Sequence, residues 1–191
     1  MERIGLFGGS FDPVHLGHLL VAQAAREELD LARLIFIPAA QSPFKPESAP
    51  TPAHTRLQLL RLALAGKTWC LIDEQEIQRG GVSYTIDTVR DYARRFPQTR
   101  LLYLVGADHL PLLPQWRAAE ELARVAEFVV IPRPGQAATS FPPPFRGQWL
   151  AGFPLGVSSS QVRARVKAGL PIDHLVPDPI AEAIRNNRLY L

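Results

Sequence analysis

Ile4-Gly5-Leu6-Phe7 runs directly into Gly8-Gly9-Ser10-Phe11-Asp12-Pro13-Val14-His15-Leu16-Gly17-His18. The apolar run reads as a strand, the two glycines as the turn at its end, and the apolar-periodic stretch from residue 16 as a helix. Gly8 and Gly9 can take backbone angles closed to other residues, and without side chains their N–H groups can approach a phosphate oxygen closely. His15 and His18, three apart, fall on neighbouring faces of one helix turn. Imidazolium donors beside a glycine turn at a helix N-terminus suit a polyphosphate whose charge grows as its bond breaks. The stretch therefore points to nucleotidyl transfer.

Outward from it, continuous apolar runs recur at Arg3–Phe7, Leu34–Pro38, Trp69–Ile72, Leu101–Gly106 and Phe128–Pro132, with helix-like segments between them. Runs apolar on both faces predict a parallel sheet covered by helices on both sides, a doubly wound, Rossmann-like α/β fold. Helices are expected over about 16–29, about 52–65 with Thr51 as cap, and about 85–95 before Phe96-Pro97. In such sheets ligands sit beyond the carboxyl ends of the strands, where Gly8-Gly9 and Gly106-Ala107-Asp108 both fall.

Two segments break the alternation. Ala39 to Pro52 carries four prolines, too stiff for a floppy linker, and reads as an ordered lid or active-site loop. Pro132 to Phe145 contains Pro142-Pro143-Pro144 and reads as an extended, solvated connector. Beyond it one of Ser158, Ser159 and Ser160 caps a helix over Gln161 to Lys167 that Gly169 stops, and Ile180 to Asn187 is a last amphipathic stretch. These make a small C-terminal helical appendage, and residues 1–191 read as a single domain.

With 191 residues, 47% hydrophobic and 20% charged, the chain has the composition of an ordinary globular protein with a sizeable core. Its single cysteine, Cys70, lies in an apolar run, which excludes an intramolecular disulfide and fits a reducing, cytoplasmic setting. No signal peptide or membrane-spanning run is seen. The formal charge of +3 comes from scattered arginines, so a small anionic ligand fits better than nucleic acid. A zinc site would need a third ligand near the His15–His18 pair, and His54, His109 and His174 are isolated. The Gly-x-Gly-x-x-Gly pattern of Rossmann oxidoreductases is absent after the first strand. Nothing in the sequence sets an oligomeric state.

Gly8 to His18 resembles the G-G-[ST]-F-D-P-x-H-x-G-H signature of the HxGH nucleotidyltransferase superfamily, and more narrowly that of bacterial nicotinate-nucleotide adenylyltransferases. Gly106-Ala107-Asp108 with Leu113-Pro114-Gln115-Trp116, Ser83-Tyr84-Thr85 with Asp87-Thr88-Val89, Arg133-Pro134-Gly135, and Val157-Ser158-Ser159-Ser160-Gln161-Val162-Arg163 are similar to further stretches in the family's order. The likeness spans nearly the whole chain.

The resemblance implies adenylyl transfer from ATP to nicotinate mononucleotide, giving deamido-NAD and pyrophosphate, with Mg²⁺ accompanying ATP. It makes His15, His18 and Arg163 catalytic, and gives ATP to Gly8, Gly9, Ser10, Phe11, Gly106, Asp108, Ser159 and Ser160 as well. It gives the acceptor to Lys45, Ser83, Tyr84, Thr85, Trp116, Arg117 and Arg133, with Trp116 stacking on the pyridine ring. The alternative is the same chemistry on phosphopantetheine or nicotinamide mononucleotide. The sequence departs from the family at Phe44, where a histidine is usual, at Val82, where a proline is usual, and at Arg117, where an aromatic often follows the tryptophan.

Overall fold

The computed structural model describes residues 1–44 and 50–191. In chain order it contains β1 (Arg3–Gly9), α1 (Leu16–Leu29), β2 (Arg33–Pro38), α2 (Ala53–Leu64), β3 (Cys70–Ile72), α3 (Gln75–Arg79), α4 (Thr85–Arg95) and β4 (Arg100–Gly106). A 3-10 helix (Ala107–Gln115), α5 (Ala119–Val125), β5 (Glu127–Ile131), β6 (Gly147–Trp149), α6 (Ser159–Lys167) and α7 (Asp178–Asn186) follow. Among the described residues the strands form one parallel sheet in the order β3-β2-β1-β4-β5-β6. The chain winds one way from β1 to β3 and the other way from β4 to β6. The two windings part between β1 and β4, so the crevice that binds ligands in such sheets opens at Gly8–Gly9 and Gly106.

The four inner strands, β2, β1, β4 and β5, bury both faces, as the apolar runs require. Ile4 and Leu6 of β1 point into one apolar layer with Ile86, Val89 and Tyr92 of α4, while Phe7 points into the other with Leu59 and Leu60 of α2 and Ile180 and Ile184 of α7. The spacing of Ile86, Val89 and Tyr92 places them on one face of α4, and Asp91, Arg94 and Arg95 lie on its wetter side. Burying each such apolar side chain contributes about 1.5–3 kcal/mol, so Val89→Asp is the single change that would detach α4.

The predicted strands and helices are present with small shifts at their ends. Three details differ. Thr51 does not cap α2: Pro52 holds that position, and the Thr51 backbone instead accepts from Arg56 Nε at 2.8 Å. The connector after β5 is exposed from Arg133 to Ser140 as expected, but it leads into β6, a three-residue edge strand with no apolar run. The five-residue α3, with buried Glu76 on it, was also not read from the sequence. Among the described residues no helix is long and apolar enough to cross a membrane.

Candidate active site

The glycine turn is built by close contact. A Cβ on Gly8 would lie 2.3 Å from the Tyr103 hydroxyl oxygen, and one on Gly17 would lie 3.0 Å from both His15 Nδ1 and Val157 Cγ1. Neither glycine has a positive φ, and the turn residue in the left-handed region is Phe11, at φ 47°. Room for neighbours, rather than backbone freedom, is what these two glycines supply. Phe11 is buried and packs edge-on against His18, with ring centroids 5.0 Å apart.

Buried polar groups fix the turn beyond Ser10. Arg56, only 1% exposed, donates from Nη1 to the Ser10 carbonyl at 2.7 Å and from Nε to the Thr51 carbonyl. The Asp12 carboxylate accepts from the Tyr190 hydroxyl at 2.9 Å and from the Thr51 amide at 3.2 Å. Burial lowers the Arg56 pKa, opposed by the nearby Asp12 charge. A buried charge needs such partners, since an unpaired one is expensive.

His15 precedes α1 and His18 lies in its first turn, with their rings stacked at a centroid distance of 3.7 Å. The His15 amide donates to His18 Nδ1 at 3.2 Å, so the His18 proton sits on Nε2. Burial, helped by the positive charge of Arg133, lowers the pKa of His15 to about 4. Burial, then His15 and Arg133, puts His18 well below the usual 6.5. Both rings are therefore neutral at pH 7 in this structure, which corrects the expectation of imidazolium donors. A triphosphate's negative charge would raise both values again.

Helix α6 docks its N-terminus on the same turn. Ser158 is its cap, accepting from the Gln161 amide at 3.2 Å, while the Gln161 side chain accepts from the Ser158 amide at 2.8 Å. The Ser159 hydroxyl donates to the Pro13 carbonyl at 2.8 Å, and Arg163 Nη1 donates to the Asp12 carbonyl at 2.6 Å. Ser160 accepts from Arg163 Nη2 at 3.4 Å. With the Ser159 hydroxyl engaged, what this helix offers an anion is its first backbone amides, the Ser160 hydroxyl and the free edge of Arg163.

Opposite the histidines, Arg133 and Asp108 form a two-point ion pair at 3.0 and 3.1 Å, which holds the Asp108 carboxyl below its usual range. Both side chains are about half exposed, so the pair adds little to stability and separates readily. Trp116 ends the 3-10 helix and packs edge-on against Tyr103 and Phe128 at 6.3 and 6.1 Å, with Phe44 at 5.7 Å on another side. Thr85 opens α4 and donates to the Tyr103 hydroxyl oxygen at 3.3 Å.

These groups line one cleft of about 550 Å³, a size that suits a nucleotide-sized ligand. It gathers Gly8, Gly9, Ser10, Phe11, His15, His18, Gly106, Asp108, Ser159, Ser160 and Arg163 with Ser83, Thr85, Trp116 and Arg133. Tyr84 and Arg117 lie outside that lining: the Arg117 guanidinium sits over the Tyr84 ring at 4.7 Å and approaches Asp87 at 4.0 Å. Lys45 lies outside the described residues. Arg56, Glu76, Tyr103 and Tyr190 shape the site without having been singled out from the sequence. Only Tyr103, a hydroxyl inside the apolar run of β4, carried a signal, and it is a weak one. Among the described residues no three His, Cys, Asp or Glu side chains gather as a metal site.

The model of the cytidylyltransferase-like family matches residues 6–165. A probable nicotinate-nucleotide adenylyltransferase of Opitutus terrae is 40% identical over 191 residues, covering 98% of this chain and 97% of its own. One of Gemmatimonas aurantiaca is 41% identical over 197 residues, covering 98% and 92%. Among solved structures, the Plasmodium falciparum nicotinic acid mononucleotide adenylyltransferase complexed with NaAD matches at a TM-score of 0.83 and 18% identity, over 100% of this chain and 98% of that one. At that identity the likeness concerns the fold alone.

Proposed function

The chain belongs to the cytidylyltransferase-like family and, within it, to the nicotinate-nucleotide adenylyltransferases, and from that premise we propose that it transfers the adenylyl group of ATP to nicotinate mononucleotide, giving deamido-NAD and pyrophosphate in NAD biosynthesis. The observation that carries this reading is the convergence of the stacked His15–His18 pair and the N-terminus of α6 on one glycine turn, within a cleft whose other wall holds Ser83, Thr85 and Trp116.

In the reaction a 5′-phosphate oxygen of the acceptor attacks the α-phosphorus of ATP in line. The new O–P bond forms as the bond to the β-phosphate oxygen breaks, and pyrophosphate leaves with the electron pair. No protein nucleophile takes part. The Nε2–H of His18 and the His15 ring serve the α-phosphate, while Arg163, Ser160 and the first amides of α6 serve the β- and γ-phosphates. Preorganised donors of this kind act most strongly where charge develops. Mg²⁺ arrives with ATP, as part of that substrate, held by phosphate oxygens and water. Asp108 takes adenosine ribose and Arg133 the acceptor, so binding both substrates divides the ion pair seen here.

The pyridine ring stacks on Trp116, and its carboxylate accepts from backbone amides at the start of α4 and from the Thr85 hydroxyl, which turns to it from its long 3.3 Å bond to Tyr103. Arg117, turned onto Tyr84, adds no contact from its side chain. A nicotinamide would present an NH₂ to these donors and leave one unpaired, at a cost of about 1–3 kcal/mol. We place the enzyme in the cytoplasm, because its one thiol, Cys70, is buried with its pKa raised by burial to about 11, a structural thiol and not a disulfide half.

Pyrophosphate release from Mg-ATP tests the reading, with nicotinate mononucleotide, nicotinamide mononucleotide and phosphopantetheine offered in parallel. Catalytic efficiency should be roughly tenfold or more in favour of nicotinate mononucleotide. Equal efficiency for the two mononucleotides refutes the acceptor assignment.

A further inference from the structure

Glu76 is a carboxylate 5% exposed on the short helix α3, lining the cleft beside Ser83, Thr85 and Tyr103. No step of the adenylyl transfer uses it. Its oxygen accepts from the Thr88 hydroxyl at 2.6 Å, and the Ser83 hydroxyl bonds to it as well.

The direction of both bonds follows from proton accounting. The Thr88 oxygen already accepts from Arg79 Nη2 at 3.3 Å, and the Ser83 oxygen from the Ala40 amide at 3.0 Å. With N–H donors on their oxygens, both hydroxyls have their single proton available for Glu76, and both bonds favour its carboxylate form, as acceptor bonds do. Burial raises its pKa, and the Thr88 and Ser83 hydroxyls and Arg79 act the other way.

The two hydroxyls belong to different parts of the acceptor wall. Thr88 lies in the first turn and a half of α4, whose first residue is Thr85, and Ser83 immediately precedes that helix. Ser83 also ties this wall to the chain leaving β2, through its hydroxyl on Ala40 and its amide on the Gln41 carbonyl at 2.9 Å, beside the bridge of Gln41 with Val82. The groups that touch the triphosphate side, Ser159 and Arg163, bond instead to Pro13 and Asp12.

We propose that Glu76 is a positioning residue for the acceptor half of the site: by holding Ser83 and Thr88 together it sets the start of α4 and the first residues of the 39–52 loop where the pyridine carboxylate is recognised. The proposal rests on the acceptor reading given above. Its mark is a split between substrates, since among the described residues Ser159 and Arg163 on the triphosphate side bond to Pro13 and Asp12 and not to this cluster.

Glu76→Gln keeps the shape and replaces one acceptor oxygen with an NH₂ that faces a hydroxyl proton. The expected result is a KM for nicotinate mononucleotide raised about tenfold, the scale of one mismatched buried hydrogen bond, with the KM for ATP within about twofold of the parent. Selectivity over nicotinamide mononucleotide should fall with it. Thr88→Val, which removes one of the two donors, should repeat the pattern and serves in its place if Glu76→Gln folds poorly. A lowered melting temperature with both KM values unchanged, or an equal rise in both, overturns the positioning role. A parent enzyme inactive on nicotinate mononucleotide overturns the acceptor reading itself, so the two failures are told apart by the parent.

Discussion

Acid sensitivity should be written into this fold by His15, and His15→Asn should remove it. In the folded chain burial and then Arg133 bring its pKa from the ordinary 6.5 to about 4, whereas the unfolded chain keeps the ordinary value. Between those two pH values the unfolded chain binds the proton and the folded chain does not. The neutral ring's contribution is thus fully present above pH 6.5 and is lost as pH falls toward about 4. At about 1.4 kcal/mol per pH unit for one proton, the full interval amounts to about 3 kcal/mol, of which about 2 kcal/mol is gone near pH 5. His15 is only 7% exposed, so solvent screens little of this. Asparagine gives up the ring stacked on His18 and lowers stability at every pH, but it does not titrate. Urea unfolding of parent and variant at about pH 7.5 and about pH 5 measures the difference. The parent should lose about 2 kcal/mol more than the variant on acidification. His18 still titrates in the variant, and the loss of the His15 charge that helps depress it adds to the difference in the same direction. Equal losses would refute the argument that burial keeps this imidazole neutral.

The remaining predictions concern the turn and the phosphate side. His18→Ala should slow single turnover by about 10²–10³-fold, the scale of one lost preorganised donor, with a much smaller change in ATP affinity; a rate within tenfold of the parent would sink its role. Arg163→Lys should fail to restore what Arg163→Ala loses, because an ammonium cannot hold the Asp12 carbonyl and an anion in one planar fork; unchanged KM for ATP and unchanged turnover in Arg163→Ala would make the residue structural only. Gly8→Ala should cost about 1–3 kcal/mol by overpacking, since the new Cβ would sit 2.3 Å from the Tyr103 oxygen. Adding Tyr103→Phe should recover more than half of that in urea unfolding, and simple additivity of the two changes would contradict the contact. Mg-ATP binding near pH 6 should take up protons, visible as a buffer-dependent heat, because the triphosphate raises the pKa values that burial has lowered.

What the sequence made legible was whatever rested on continuous burial. The runs at residues 3–7, 34–38, 101–106 and 128–132 could be read because a parallel strand covered on both faces has no polar side to interrupt it. Gly147-Gln148-Trp149 carries no such run, since β6 lies at the edge of the sheet and is mostly exposed. The 3-10 helix, with Pro111 and Pro114 inside it, has neither helical nor strand periodicity. Within the site, the glycine turn, the histidines and Arg163 were legible as a linear pattern. The charge state of the histidines was not, because it depends on burial and on Arg133, which is distant in sequence. Arg56 and Glu76 were hidden for a related reason: charged residues usually face water, and only the assembled chain shows the carbonyls and hydroxyls that hold them inside. The side chain of Arg117 goes to Tyr84 and Asp87 because a guanidinium finds an aromatic face and a carboxylate there.

The hydrogen bond from Tyr190 to Asp12 spans 178 residues of sequence, and with Ser159 on Pro13 and Arg163 on Asp12 it makes the loop after β1 depend on residues far downstream of it. At roughly 5–20 residues per second, a ribosome that has finished Asp12 needs about 9 to 36 s to reach Tyr190. For about the first half of that interval β1 also lacks β4, its central partner in the sheet, which ends at Gly106. A nascent chain therefore carries the full signature of the phosphate site long before it can close one, and nucleotide capture waits until Tyr190 has been made.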